Sequence, residues 1–321
     1  MAHDHQPGGG HAGHAHGVSA DADRGKLTIA LALIVGFMLV EVVVGALAHS
    51  LALLSDAAHM LTDAGALGLS LVAINLAKRP AKGALTFGFK RVEILSAQFN
   101  GATLLVLGLL IVYEGIDRLV TPPPVQGTPV LIVAIVGICV NLAATYALSK
   151  ANRQSMNIEG SFQHLLTDLA AFIFTAIAGV VILVTGFKRA DGIASLIIAA
   201  IMLRAAYGLL RDSGRVFLEA APKGMDPDTI GRKLIGHDGV VEVHDLHVWE
   251  VTSGFPALSA HVLVRAEADC HAIRRDLEHG LHDQFGIEHT TLQVDHEGEE
   301  LLQLQAPEQR LEASPSSTAS R

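Results

Sequence analysis

The chain has 321 residues, half of them hydrophobic, and carries a formal net charge of −9. Its mean hydropathy of +0.41 is too high for an ordinary soluble protein. The acidic balance excludes a general nucleic-acid binder, which would present a basic face.

The opening stretch MAHDHQPGGGHAGHAHG has no basic region followed by an apolar core, so it does not read as a cleavable signal peptide. It holds His3, His5, His11, His14 and His16 among glycines. That composition captures metals loosely, or it is a purification tag, although the irregular spacing speaks against a tag. The first 25 residues are read as a flexible tail.

Six apolar runs long enough to cross a bilayer follow between residues 26 and 213. They are expected at Leu27–Ala48, Leu51–Ala77, Val92–Val120, Val130–Leu148, Ile158–Gly186 and Ile193–Leu210. The first two are joined around His49 and Ser50 as a hairpin. Basic residues set the orientation. Arg24, Lys26, Lys78, Arg79, Lys82, Lys90, Arg91, Lys150, Arg153, Arg211 and Arg215 fall on one side, against Arg118, Lys188 and Arg189 on the other. The positive-inside rule then places both termini in the cytoplasm, with the spans in the cell's inner membrane.

Within the second run, His59 and Asp63 lie four residues apart, and His164 and Asp168 repeat the spacing in the fifth. Four residues make about one helical turn, so each pair leaves a single helix face. Two imidazoles and two carboxylates form a tetrahedral set suited to a divalent metal such as zinc. Ionisable groups cost about 2.5–3.5 kcal/mol each at this depth on insertion scales, which favours a functional reading over simple hydrogen bonding. Asp63 is fifteen residues from Lys78, about 22 Å of helix, and Asp168 is thirteen from Ser155, about 20 Å. The two carboxylates are therefore expected near one depth, at the midplane, where transporters keep their sites. The helices run antiparallel, which should place His164 nearer Asp63, and His59 nearer Asp168. Asp56 shares the face of His59 and either orients an imidazole or stands as a carboxylate near the outer mouth. Glu41, Asn100, Glu114 and Asn141 read as interhelical hydrogen-bonding groups before transport groups.

Residues 214–298 change to the pattern of a small α+β domain, in the order αββαβ. The expected helices are DPDTIGRKLIG, with Asp226 as N-cap, and ADCHAIRRDLEHGLHDQFG. The expected strands are VVEVHDLHVWEV, ALSAHVLVRA and HTTLQVDHE. Strict alternation in the first strand puts Asp245, His247 and Trp249 on one face and His244 on the other. The density of His and Asp here suits a cytosolic metal site, although each histidine alone reads as a surface residue. Cys139 and Cys270 give no sign of meeting, so no disulfide is expected. Residues 299–321 read as disordered.

SDAAHMLTDAG, TFGFKRVE, HLLTD and HDLHVWEVTSG…LSAHV together resemble the cation diffusion facilitator family, in its zinc-transporting branch, over roughly residues 25–297. The resemblance implies a homodimer of six-span protomers with a ferredoxin-like cytosolic domain, exporting Zn²⁺ from the cytoplasm in exchange for protons. It implies His59, Asp63, His164 and Asp168 as transport ligands, and His244, His261, His271 and Asp295 as tail ligands. Two departures stand out. RPAKGALTFGFKR lacks the His/Asp site that some relatives carry between the second and third spans. Gln293 stands where some relatives have a histidine ligand, which bears on occupancy of the tail site. Manganese and iron branches tend to replace one or both transport histidines, so imidazole on both helices favours zinc, with cadmium or cobalt as passengers. No organic cofactor is implied. The chain also lacks HExxH, which argues against a membrane metalloprotease. A metal sensor or passive channel would bind or pass metal without proton exchange.

Overall fold

The computed structural model describes residues 20–47, 51–122 and 127–298; the histidines of the N-terminal stretch, the link at His49 and Ser50, and residues 299–321 lie outside them. The helices α1 (Ala20–Leu47), α2 (Leu51–Ala77), α3 (Val92–Val120), α4 (Gly127–Ser149), α5 (Met156–Thr185) and α6 (Ala190–Phe217) come first. They are followed by α7 (Pro227–Ile235), β1 (Val240–Glu250), β2 (Pro256–Val264), α8 (Cys270–Phe285) and β3 (His289–His296). The chain divides into two compact units. One comprises Met1–Pro222 with Trp249–Pro256, and the other Lys223–Val248 with Ala257–Arg321.

All six helices of the first unit are long and apolar enough to cross a membrane. The second and third match their predicted limits. The sixth runs on to Phe217, past the predicted end at Leu210, because its polar last turns stay helical: Ser213 Oγ donates to the Leu209 carbonyl at 2.8 Å. At the start of α5, Ser155 adopts extended backbone geometry and accepts from the Ile158 N–H, while its hydroxyl donates to Glu93 in the first turn of α3. Gly186 closes the helix at φ 70°, a left-handed conformation that glycine adopts without a Cβ clash.

Two apolar cores form inside this unit. Leu27, Ile34, Leu67, Leu148, Ile158 and Leu165 join α1, α2, α4 and α5. Leu104, Ile198, Met202, Ala206 and Leu209 join α3 to α6. The α3–α6 pair is drawn close by glycine. A Cβ on Gly101, Gly108 or Gly115 would come within 3.1, 3.0 and 3.0 Å of Leu209 or Leu210, Leu203 and Leu196 respectively. Their seven-residue spacing keeps them on one face, where small residues let helices approach in a lipid setting. Arg118 at the end of α3 donates to Asp191 in the first turn of α6 at 2.6 Å. Outward, Leu39, Val43, Leu109, Tyr113, Ile132 and Leu183 are exposed, as a hydrocarbon surround allows.

A tighter point lies between α4 and α5. A Cβ on Gly137 would sit 2.4 Å from the Phe172 ring. Gly137→Val is expected to overpack this contact at a cost of about 1–3 kcal/mol. A lower melting midpoint of the detergent-purified protein would register it.

In the second unit, Asp226 precedes Pro227, which takes the first position of α7 where its missing N–H does no harm. Thr229 Oγ1 donates to the Asp226 carboxylate at 2.6 Å, and this bond above all holds that carboxyl below its ordinary range. Asp269 caps α8, accepting from the His271 and Ala272 N–H groups at 3.0 Å each. Ile273, Leu277 and Leu281 give α8 one buried stripe. The sheet has the order β1-β2-β3, and β2 pairs parallel with β3. Parallel neighbours need a crossover, and α8 supplies it. The observed order is the αββαβ read from the sequence.

Candidate metal centre

Helices α2 and α5 meet where the two HxxxD pairs were expected. His164 Nε2 lies 2.7 Å from an Asp63 carboxylate oxygen and 3.9 Å from one of Asp168. One ligand atom from each of the three residues falls within 4.8 Å of the others. All three residues are buried, at 5 % exposure for Asp63, 1 % for His164 and 9 % for Asp168. Donors placed about 2.0–2.2 Å from a tetrahedral ion stand roughly 3.4 Å apart. The two measured separations straddle that value, so small rotamer changes open the cluster for a dication. Two carboxylates balance the charge of such an ion, and a nitrogen among oxygens suits zinc and its neighbours.

The expected pairing of His164 with Asp63 across antiparallel helices is met. Asp56 and His59 lie on α2, about two turns and one turn before Asp63, and their side chains lie outside the described residues. The other intramembrane polar groups divide. Asn100 Nδ2 reaches Ser70 Oγ across helices at 3.5 Å. Asn141, read as interhelical, instead donates to the Gly137 carbonyl of its own helix at 3.2 Å. Glu114 pairs with Arg118, one turn on, at 3.6 Å. Glu41 is buried in α1.

The sequence reading missed a polar cluster joining α2, α3 and α5. The hydroxyls of Ser70 and Ser161 are 2.8 Å apart, and Asn157 Nδ2 donates to the Ser70 carbonyl at 2.9 Å. Its signal was available: Ser70 follows Asp63 by seven residues, and Asn157 precedes His164 by seven, so each shares a face with a ligand.

In the tail unit, one ligand atom each from His244, Asp245 and His261 falls within 4.8 Å of the others. The two imidazole centroids are 5.2 Å apart, nearly edge to face. Strict alternation would have kept His244 from Asp245. Asp245 instead takes φ 49°, a left-handed residue inside β1, and the break in pleat lets both side chains reach His261. Gln293 pairs with His261 in the β2–β3 register and lines the same hollow as Asp245, His247, Ser259 and Thr291. His271 and Asp295 stand outside the cluster. The His271 N–H is held by Asp269, and Asp295 accepts from Gln293 Nε2 at 2.8 Å.

The family profile described as the cation efflux transmembrane domain matches residues 27–218, and that of the cation efflux protein cytoplasmic domain matches residues 222–297. The chain is 38 % identical over 290 residues to the cadmium, cobalt and zinc/H(+)-K(+) antiporter of Bacillus subtilis, covering 89 % of this chain and 92 % of that protein. It is 37 % identical over 288 residues to the metal cation efflux system protein CzcD of Cupriavidus metallidurans, covering 88 % and 90 %. It is 36 % identical over 299 residues to the zinc transporter ZitB of Escherichia coli, covering 92 % and 93 %. The chain belongs to the cation efflux, or cation diffusion facilitator, family, in its zinc, cadmium and cobalt branch.

Proposed function

We propose that this protein exports Zn²⁺, with Cd²⁺ and Co²⁺ as further substrates, from the cytoplasm in exchange for protons. The buried meeting of Asp63, His164 and Asp168 carries the reading. His59, one turn from Asp63, completes the quartet. Ligation needs neutral imidazole and ionised carboxylate, so metal and protons compete for the same atoms. Two bare carboxylates in an apolar interior are unstable, so protons replace the departed ion. Rocking of the bundle about the site presents it to each side in turn. The proton exchange in the name of the Bacillus subtilis relative supports this direction of coupling.

The protein lies in the inner membrane with both termini cytoplasmic, an orientation that the distribution of Lys and Arg supports, so that residues 214–298 form a cytosolic domain beyond the membrane domain at 26–213. Two protomers associate. Zinc held by His244, Asp245 and His261 acts as a regulatory ion that biases the arrangement of domains or protomers. His271 and Asp295 join that site only by rearrangement, since neither belongs to the cluster of His244, Asp245 and His261, and Asp295 accepts from Gln293 Nε2. Asp56 orients the His59 imidazole, and the N-terminal histidines gather metal.

The deciding experiment is zinc uptake into proteoliposomes with internal pH followed in the same vesicles. Zinc entry with opposed proton movement, slowed when the pH gradient is collapsed, is expected. Flux indifferent to the gradient would make the protein a channel, and binding without flux would make it a sensor. A second measurement addresses the tail. In an Asp63→Ala background, His261→Ala is expected to weaken the remaining zinc binding by at least about tenfold, as the loss of a direct ligand should exceed the 10–100-fold range of outer-shell losses at its lower end. Calorimetric titration of the full chain reads this.

A further inference from the structure

A second polar cluster lies about two helical turns from the carboxylates. Ser70, Asn100 and Asn157 are 0 % exposed and Ser161 is 1 % exposed, although all four sit in apolar helices. Ser70 and Asn157 share helix faces with Asp63 and His164, seven residues away, or about 10 Å along each axis. Both lie toward the end of the bundle where α5 begins, which the proposed orientation makes cytoplasmic. Gly160 on α5 lies against Asn100 of α3, to whose Nδ2 a Cβ there would make ordinary contact at 3.6 Å.

The cluster is not closed on itself. Asn157 spends its Nδ2 on the Ser70 carbonyl, and among the described residues its Oδ1 has no hydrogen-bond partner. Asn100 Oδ1 and the hydroxyl of Ser96, one turn earlier on α3, are likewise unpartnered and buried. Buried acceptors in an apolar layer are stable only when a donor reaches them. The group offers neutral oxygens and no charged side chain. Neutral acceptors do not attract an anion. They compete poorly with imidazole and carboxylate for direct bonds to zinc. They do accept strong hydrogen bonds from water bound to a dication.

We propose that Ser70, Asn100, Asn157 and Ser161 form a staging point that holds the hydrated dication through its water shell before it loses that shell to Asp63, His164 and Asp168. This rests on the reading of the chain as a zinc exporter. Absence of fixed charge keeps the hold weak, so the ion moves on rather than being trapped.

Two substitutions test it. Asn157→Leu removes the acceptor, and is expected to raise the zinc concentration for half-maximal flux about tenfold while equilibrium zinc binding by the purified full chain stays unchanged. Asn157→Asp supplies the missing charge, and is expected to add one bound zinc per protomer, counted by elemental analysis, and to lower the limiting rate. If both proteins, folded by melting and gel filtration, keep wild-type half-saturation and wild-type zinc content, the staging point does not exist. If Asn157→Leu weakens equilibrium binding in step with flux, the cluster only supports the ligand helices, and the proposal also fails. Should the wild type itself move no zinc, the exporter reading falls, while the zinc count of Asn157→Asp still tests the cluster.

Discussion

Asp63→Ala is expected to abolish zinc flux, lowering it at least about a hundredfold, while the protein still inserts and folds. The loss exceeds the 10–100-fold typical of groups that merely support a metal ligand, because Asp63 removes both a donor atom and half of the charge that balances the ion. Asp63 also touches His164 at 2.7 Å, so the substitution leaves that imidazole without its partner on α2. Asp168→Ala has the same consequence from the other helix. Folding should survive, since neither carboxylate belongs to the core formed by Leu27, Ile34, Leu67 and Leu165, and removing a buried charge relieves a desolvation cost. Proteoliposome flux and a melting curve on the same preparation separate the two effects. Flux at the wild-type level in either variant would refute the ligand assignment.

His164→Asp is the second large effect, and it concerns selectivity. His164 is 1 % exposed and faces both carboxylates, so its replacement turns a mixed donor set into one of oxygens. Zinc and cobalt favour imidazole, whereas manganese and magnesium favour carboxylate and water. The ratio of zinc to manganese transport is expected to fall about tenfold or more, with zinc losing more than manganese gains, because three carboxylates overbalance a dication. Competitive uptake of the two metals by one vesicle preparation measures the ratio directly. An unchanged ratio would mean that discrimination resides elsewhere in the bundle.

The membrane architecture was legible because span length and apolarity are properties of the chain itself. The limits of Leu51–Ala77 and Val92–Val120 agree with the structure because Lys78, Arg91 and Pro122 stand at three of their four margins. The HxxxD pairs were legible for the same local reason: one turn of helix puts both side chains on a face whatever the surroundings. The Ser70–Asn157 contact was not, because it depends on how α2 and α5 pack, and serine and asparagine have many ordinary uses in helices. The tail cluster was hidden for another reason. Alternation predicts a regular strand, and the positive φ of Asp245 is a departure that no period-two pattern contains. His271 and Asp295 entered through family resemblance alone. In this structure Gln293 Nε2 donates to the Asp295 carboxylate.

The glycines at 101, 108 and 115 carry a consequence for how this protein can diverge. Each is matched to a bulky partner on α6, and no slack separates them. A methyl group gained on one helix therefore demands a smaller side chain opposite. Substitutions along this seam should be inherited as reciprocal pairs, and a lone change should be rescued by trimming its counterpart.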